Sequence, residues 1–270
     1  MPEPAPAPEP TPEPDPGPDP GPEPETTLDG FLGHRLRLRQ PLRGFRSGTD
    51  ALLLAAAVPA RPGDSALELG CGAGAAILCL GARVPGLALA GLELQPAYAA
   101  LARDNAARNA LPLEVFEGDV ERPPPALRAR AFDHVLLNPP FFDRAATTRA
   151  RDPGRDLAHG GPAPLSAWLG LAARRLRPGG ALTAIHRAAG LPALLAALPP
   201  TLGSVQVLPL EPRPGESPAT LLLRARKGGR APFRLLAPLA LHDGAPGPDG
   251  KDFSPWARDA LERAAPIPWR

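Results

Sequence analysis

The sequence has few cysteines and lacks both long apolar runs and a basic N-terminal block. Cys71 and Cys79 are the only cysteines, so they cannot build a disulfide framework, and their spacing matches no zinc module. The five histidines show no metal-ligand spacing either. No run of about 18 apolar residues is present, and no secretory signal pattern opens the chain. We therefore expect a soluble, cytoplasmic protein that binds no metal.

Proline is abundant, with 41 residues among 270, and it is concentrated at the N-terminus. In residues 1–26 it occupies every even position from Pro2 to Pro24, interleaved with seven acidic residues and no basic one. Each proline lacks an N–H group and pushes the preceding residue to extended angles, which prevents helix and sheet formation. We predict that 1–26 is a disordered, acidic tail outside the fold.

The remainder of the chain is basic. The chain has 30 Lys and Arg and 28 Asp and Glu, a net charge of +2. Because seven of the acidic groups lie in the tail, residues 27–270 keep 21 of them and carry +9. This excess favours a polyanionic partner such as RNA or DNA. A coding bias towards arginine, with Lys227 and Lys251 as the only lysines, would produce part of the same excess.

Strand and helix signals alternate beyond the tail. Short apolar runs predict buried strands at 65–69, 87–94, 113–116, 132–137 and 181–185, and helical segments separate them. Two further strands are predicted at 205–210 and 220–226. Such repeated units imply an α/β fold, a doubly wound and mostly parallel sheet, here with a final pair of strands that turns back antiparallel. Parallel sheets of this kind bind ligands beyond the carboxyl ends of their strands.

A glycine-rich loop follows the first of these strands. Gly70, Gly72 and Gly74 alternate there, which allows the backbone to turn tightly and to lie close to a ligand. Glu93 ends the next strand, 19 residues after Gly74, where a carboxylate can accept both ribose hydroxyls. The spacing is not G-x-G-x-x-G, so a nucleoside such as S-adenosylmethionine fits better than NAD. A plain strand–helix connector is the alternative. Asp119, at the same rim, either binds the adenine or closes a turn.

The sequence Asn138-Pro139-Pro140-Phe141 ends the fourth strand of the predicted sheet. The Asn138 side-chain oxygen and the Pro139 carbonyl could accept both hydrogens of a planar amino group, which would aim its lone pair at a methyl donor. Phe141 offers a ring on which a flipped-out base could stack. The alternative is an Asn-Pro-Pro turn that only ends the strand.

Together these residues resemble the class I S-adenosylmethionine-dependent methyltransferases that carry an Asn-Pro-Pro-aromatic motif. Segments 40–51, 67–74 and 138–142 are most similar to the bacterial tRNA (adenine-N6)-methyltransferases, which modify adenine 37 of a valine tRNA. The resemblance runs from about residue 28 to 241. It implies a Rossmann-like, seven-stranded sheet with an antiparallel last strand, S-adenosylmethionine as cofactor and tRNA as nucleic-acid partner.

The resemblance also implies roles for individual residues. The cofactor would be bound by Glu68, Gly70, Cys71, Gly72, Gly74, Glu93, Asp119 and Asn138, with Thr49 and Asp50 in the segment that covers its pocket. The catalytic positions would be Asn138, Pro139, Pro140 and Phe141, and the substrate would also contact Phe142 and Arg46.

We divide the chain into the tail 1–26, a hairpin and helix at 27–64 that cover the cofactor pocket, a methyltransferase core at 65–230 and a C-terminal extension at 231–270, and we expect a monomer. Among the basic clusters, Arg224, Arg226, Lys227 and Arg230 are candidate RNA contacts. Arg174, Arg175 and Arg177 are more typical of a solvated helix face, and contact with phosphate is the alternative. The three tryptophans are assigned to packing.

The Asn-Pro-Pro site alone leaves several substrates open: adenine N6 in RNA or DNA, guanine N2 in ribosomal RNA, and glutamine N5 in release factors. The basic body favours nucleic acid, and the lack of a separate target-recognition domain argues against DNA. An RNA-binding protein with a vestigial methyltransferase fold is the alternative that is not an enzyme.

Overall fold

The computed structural model describes residues 25–140, 163–243 and 252–269. It opens with an antiparallel hairpin of β1 (Thr26–Phe31) and β2 (Leu36–Pro41). Leu36 and Leu38 are buried while the arginines between them are exposed, the alternation of a strand with one apolar face. Helix α1 (Thr49–Ala57) follows. Thr26, the last residue assigned to the predicted tail, is therefore the first of β1, and residues 1–24 lie outside the described ranges.

A nine-stranded sheet forms the centre of the fold. Its seven longer strands are β3 (Ser65–Leu69), β4 (Ala88–Glu93), β5 (Leu113–Glu117), β6 (Phe132–Leu137), β7 (Leu176–Arg187), β8 (Leu202–Glu211) and β9 (Thr220–Lys227). All seven predicted strands are present. β7 begins five residues before its prediction because Leu176, directly after a helix, pairs with Phe132 across a register shift.

The strands lie in the order β5-β4-β3-β6-β7-β9-β8, and the first five are parallel. β9 runs antiparallel to both of its neighbours, β7 and β8. The predicted antiparallel last strand is thus confirmed. The expectation that both final strands turn back is wrong for β8, which regains the direction of the parallel strands.

The sheet also has two strands that the sequence did not predict. β10 (Arg234–Leu235) and β11 (Leu239–Ala240) pair parallel with β8, so the sheet has nine strands and not seven. Each is two residues long and follows a proline, Pro232 or Pro238, within two residues. Such short segments carry no periodic signal.

Helices cover both faces of the sheet. They are α2 (Ala75–Arg83), α3 (Pro96–Arg108), α4 (Pro125–Arg128), α5 (Leu165–Arg175), α6 (Leu191–Ala196) and α7 (Pro255–Arg263), with a 3-10 turn at Ala188–Gly190. One apolar cluster joins the hairpin, α1, α2 and α7, and a second joins α4, α5 and α6. Within the described ranges, no helix combines the length and apolar character needed to cross a bilayer.

Candidate active site

The parallel strands β3, β4, β5 and β6 end at one edge of the sheet, and a cavity of about 1030 Å³ opens there. This is where doubly wound sheets bind their ligands. Many of the predicted site residues line it, from four separate strand ends: Glu68, Gly70, Cys71, Gly72, Glu93, Asp119, Asn138, Pro139 and Pro140. The fold therefore brings together residues that are up to 72 positions apart in the sequence.

The glycine loop forms the floor of this cavity. Gly70 and Gly72 adopt φ angles of +66° and +54°, in the left-handed region that side chains disfavour. The N–H groups of Gly70 and Cys71 both donate to the Leu92 carbonyl, at 2.8 and 3.0 Å, which ties the loop to the end of β4. A Cβ atom at Gly72 would meet nothing closer than the Phe45 ring at 4.0 Å. The missing side chain thus leaves space on the cavity side for a ligand.

Glu93 connects the glycine loop to the strand beside it. Its carboxylate accepts the Gly72 N–H at 2.9 Å and the Gln95 N–H at 2.9 Å, one on each oxygen. The residue is only 6% exposed and lines the cavity. Each carboxylate oxygen retains a further lone pair. Glu93 can therefore shape the loop and still accept hydrogen bonds from a ligand.

Glu68 is buried at the start of the same loop and accepts the Ile77 N–H in the first turn of α2, at 2.9 Å. Burial raises its pKa to about 8, and the nearby Glu93 charge contributes to the increase. Glu68 is thus mostly protonated at neutral pH. In this protonated form Glu68 can donate a hydrogen bond.

Asp119 lies at the rim, after β5. Its Oδ1 accepts the Glu121 N–H at 2.9 Å, so the turn that the sequence offered as an alternative is present. The residue is partly exposed and lines the cavity as well. The two interpretations are therefore compatible, because the turn holds the carboxylate at the cavity.

Asn138 stands directly after β6, followed by the two prolines. Its Oδ1 atom is shielded from solvent and has no hydrogen-bond partner among the described residues. A buried amide oxygen without a partner costs on the order of 1–3 kcal/mol, a cost that a ligand donating to it would relieve. This acceptor is unused at the point where the sequence predicts that an amino group binds.

Some predicted residues lie away from the cavity. Gly74 packs against Leu78 and Ala102 between α2 and α3. Arg46 turns towards the hairpin, where it donates to Thr27, to the Pro41 carbonyl and to Asp29 at 2.6 Å. Thr49 and Asp50 do not line the cavity, and burial raises the pKa of Asp50 while Arg187 opposes the rise. Phe141 and Phe142 lie outside the described residues.

Three aromatic residues that the sequence analysis did not assign to the site also line the cavity: Phe45, Tyr98 and Trp168. The Tyr98 hydroxyl accepts the Phe45 N–H at 2.8 Å and donates to the Phe45 carbonyl at 3.1 Å. The Trp168 ring lies over Gly70, where a Cβ atom would approach it to 2.7 Å. These residues come from three distant segments, so no spacing in the sequence connects them.

Cys71 lines the cavity but has an inert thiol. Its Sγ atom packs against Gly91 of β4, where a Cβ would approach it to 2.6 Å. Burial raises the pKa of this thiol, and Glu68 and Glu93 contribute, so it stays protonated. The thiol therefore lacks the thiolate character that a nucleophile needs.

The side chains of three residues in the predicted C-terminal basic cluster bind backbone carbonyl groups of the protein itself. Arg224 donates to the Ala57 carbonyl and stacks on Trp269, with its guanidinium carbon 3.8 Å from the ring centroid. Burial lowers its pKa to about 9. Arg226 and Lys227 donate to the carbonyls of Gly179 and Leu176. Arg224 therefore has a structural role.

A sequence model of one protein family, described as the methyltransferase small domain, matches residues 45–208. The chain belongs to this family. Its membership confirms the predicted class of protein, and the matched range contains every residue described above as lining the cavity.

Similar sequences occur among bacterial tRNA1(Val) (adenine(37)-N6)-methyltransferases. The chain is 33% identical to that of Yersinia enterocolitica over 117 residues, which cover 42% of this chain and 45% of the relative. It is 31% identical to that of Porphyromonas gingivalis over 166 residues, which cover 58% and 64%. The alignments thus span less than two thirds of these relatives.

Solved structures confirm the fold. A predicted O-methyltransferase from Agrobacterium tumefaciens superposes with a TM-score of 0.65 at 28% identity, covering 82% of this chain and 99% of that one. A 16S rRNA guanine-N2 methyltransferase of T. thermophilus, in complex with AdoMet and guanosine, gives a TM-score of 0.51 at 21% identity, covering 75% and 50%. The Rossmann-like class I methyltransferase architecture is therefore established.

Proposed function

We propose that this protein transfers a methyl group from S-adenosylmethionine to the exocyclic N6 of adenine in tRNA, at adenine 37 of a valine tRNA. The observation that carries the proposal is the unpartnered, shielded Oδ1 of Asn138 at a cavity lined by the predicted cofactor residues. The names of the two similar bacterial enzymes supply the base and the RNA.

The cavity suits a nucleoside-sized cofactor. Its volume, about 1030 Å³, is at the upper end of small-molecule sites. The backbone at Gly70 and Gly72 would accommodate the methionine end, Glu93 would accept the ribose hydroxyls, and Asp119 would accept the adenine amino group. S-adenosylmethionine supplies an electrophilic methyl group on a sulfonium.

The residues after β6 would prepare the nucleophile. The lone pair of an adenine amino group is delocalised into the ring, which makes it a weak nucleophile. If the Asn138 side-chain oxygen and the Pro139 carbonyl accept its two hydrogens, the nitrogen is held partly pyramidal with its lone pair directed at the donor. This is catalysis by positioning and preorganised acceptors, and it requires no base with a tuned pKa.

The other parts of the chain have supporting roles in this proposal. The segment 27–64 would cover the cofactor, which is supported by Phe45, Ser47, Ala51 and Leu54 in the cavity lining. Residues 65–230 are the catalytic core and 231–270 an extension. Phe141 would stack on the target base. A tRNA substrate implies a cytoplasmic protein that takes part in tRNA processing, and we expect it to act as a monomer.

The test is nucleoside mass spectrometry after separate incubations of the protein and methyl-labelled S-adenosylmethionine with a valine tRNA transcript and with a ribosomal RNA fragment. We expect labelled N6-methyladenosine, and none from a matched transcript with guanine in place of adenine 37. An equal yield from both transcripts would contradict the assigned position. Label found only as N2-methylguanosine in a ribosomal RNA fragment would contradict the assigned base.

A further inference from the structure

A second cavity, of about 540 Å³, lies between α4 and α5. Its walls carry four arginines, Arg122, Arg128, Arg174 and Arg175, together with three consecutive prolines at 123–125. We refer to these seven residues as the arginine groove. The one acidic residue in its lining is Glu121, so positive charge dominates.

Three of these arginines are available to a ligand. Arg122, Arg128 and Arg174 are exposed, and their side chains form no hydrogen bond or ion pair with any residue in the described ranges. Arg175 instead donates to the carbonyls of Leu127, Arg128 and Arg130. Arg175 therefore fixes α4 against α5 and holds the backbone of Arg128 in place.

The arginines are close enough to repel one another. The pKa of Arg175 is lowered first by burial and then by the charges of Arg174 and Arg128. A group of like charges without carboxylate partners is unfavourable in the free protein, and an anion relieves the repulsion. The groove also has a rigid wall, because proline rings fix the φ angle of the backbone.

The arginine groove adjoins the cofactor cavity. Gly118 lines the cavity, and a Cβ atom there would meet Pro124 of the groove at 2.9 Å, so the two recesses share a wall. Helix α5 connects them as well, since Trp168 lines the cavity and Leu171, one turn later, lines the groove.

The conformation of Arg174 also links the arginine groove to the cavity. Its Nη1 atom lies 3.2 Å from where a Cβ of residue 170 would be, so the side chain folds back along α5 over Gly170. The guanidinium is thereby brought nearer to Trp168 and the cavity. A glycine inside a helix is unfavourable relative to alanine, and here it leaves room for that arrangement.

We propose that the arginine groove binds the phosphate backbone of the RNA next to the base that enters the cavity. Arginine suits this task because its planar guanidinium can donate two hydrogen bonds to one phosphate. The proposal rests on the proposed function for the identity of the ligand as RNA. A free phosphate ion has the same chemistry, and the experiment distinguishes the two.

The experiment measures the dissociation constant for tRNA over a range of salt concentrations. The test variant is Arg128→Gln with Arg174→Gln. The control is Arg61→Gln with Arg234→Gln, which removes the same charge at the amino end of β3 and on edge strand β10, where both arginines are exposed. We expect the test variant to bind tRNA about tenfold more weakly at low salt, with the slope of log Kd against log salt reduced by about 1–2. The control should stay within about twofold of the wild type.

A charge-conserving variant, Arg128→Lys with Arg174→Lys, should retain most of the salt dependence. Thermal unfolding and S-adenosylmethionine binding establish that all variants are folded. If the test and control variants bind tRNA equally, the proposal is overturned. It is also overturned if the test variant loses binding of inorganic phosphate while its affinity for tRNA is unchanged.

The two proposals fail differently. If wild-type protein binds RNA through the arginine groove but forms no N6-methyladenosine, the proposed function is wrong and the groove inference stands. If methylation of valine tRNA proceeds and tRNA binding is indifferent to the groove arginines, only the groove inference is wrong.

Discussion

At the residue scale, the acidic side chains of the neighbouring strands β3 and β4 have different hydrogen-bond partners. Glu93 accepts two backbone N–H groups, whereas Glu68 accepts one, and burial raises the pKa of Glu68 to about 8. Glu68 therefore adds a negative charge to the cavity floor only in alkaline solution.

Glu68 should make the stability of the protein depend on pH. Between about pH 4.5, its ordinary pKa, and about pH 8, the unfolded chain loses the proton that the folded protein keeps. The free energy of unfolding therefore decreases with rising pH, by up to roughly 1.4 kcal/mol per unit, and this contribution levels off above pH 8. The variant Glu68→Gln has no such titration. Its free energy of unfolding in urea, relative to that of the wild type, should therefore increase from pH 5 to pH 8. A difference that is constant across this range would refute the assigned pKa.

Asn138→Ala should reduce the rate of methyl transfer by about a hundredfold, since it removes one of two preorganised acceptors. Single-turnover kinetics measure this rate. The affinity for S-adenosylmethionine, measured by isothermal titration, serves as the control and should change little. Wild-type turnover in the variant would show that the amide oxygen does not hold the target amine.

At the element scale, the loop before α1 is held over the cavity by α3. The link consists of the two hydrogen bonds between the Tyr98 hydroxyl and the Phe45 backbone. Arg46, the next residue, is bound to the hairpin through Asp29 and Thr27. Tyr98 and Arg46 thus fix this loop to α3 and to the hairpin. No signal in the sequence indicates the first contact, and Arg46 is predicted from the sequence to contact the substrate.

Tyr98→Phe should loosen this segment and weaken S-adenosylmethionine binding by roughly 0.5–1.5 kcal/mol, the net value of a hydrogen bond. Hydrogen exchange at the Phe45 amide should become faster, because that amide loses its acceptor. The midpoint of global unfolding should change little, since both hydrogen bonds are exposed to solvent. Unchanged exchange at Phe45 would mean that the hydroxyl does not restrain the loop.

Elements with a local signal could be predicted from the sequence, and those defined by long-range contacts could not. The strand Ser65–Leu69 is a mostly apolar run, and the glycines that follow it indicate a loop whose backbone adopts positive φ angles. Trp168 comes from a helix a hundred residues further along, and its contact with Gly70 depends on the packing of α5. The internal contacts of Arg224 could not be predicted for the same reason, because its partners, Ala57 and Trp269, are far away in the sequence.

At the scale of the whole molecule, charge is distributed unevenly along the chain. Six acidic residues lie in residues 1–24, so removing this segment changes the net charge from +2 to +8. Glu25 should be kept, since its carbonyl accepts the Leu42 N–H at 2.8 Å beside β1.

Deletion of 1–24 should strengthen tRNA binding several-fold at about 50 mM salt, because a negative segment competes with RNA for the basic body. The gain should vanish near 1 M salt, where the Debye length is about 3 Å. A full-length variant with the six acidic residues replaced by Asn or Gln controls for chain length and should bind like the deletion. Equal affinities of wild type and deletion at low salt would show that the segment does not compete.

Helix α5 sets a distance between the two recesses. Trp168 and Arg174 are six residues apart on one continuous helix, so their backbone positions are separated by about 9 Å along its axis. If the cavity binds a base and the arginine groove binds a phosphate of the same strand, α5 fixes the distance between that base and that phosphate. An RNA strand whose backbone cannot span that distance, for example one whose base remains paired in a stem, could not occupy both sites at once. Such RNA would be excluded whatever its base sequence.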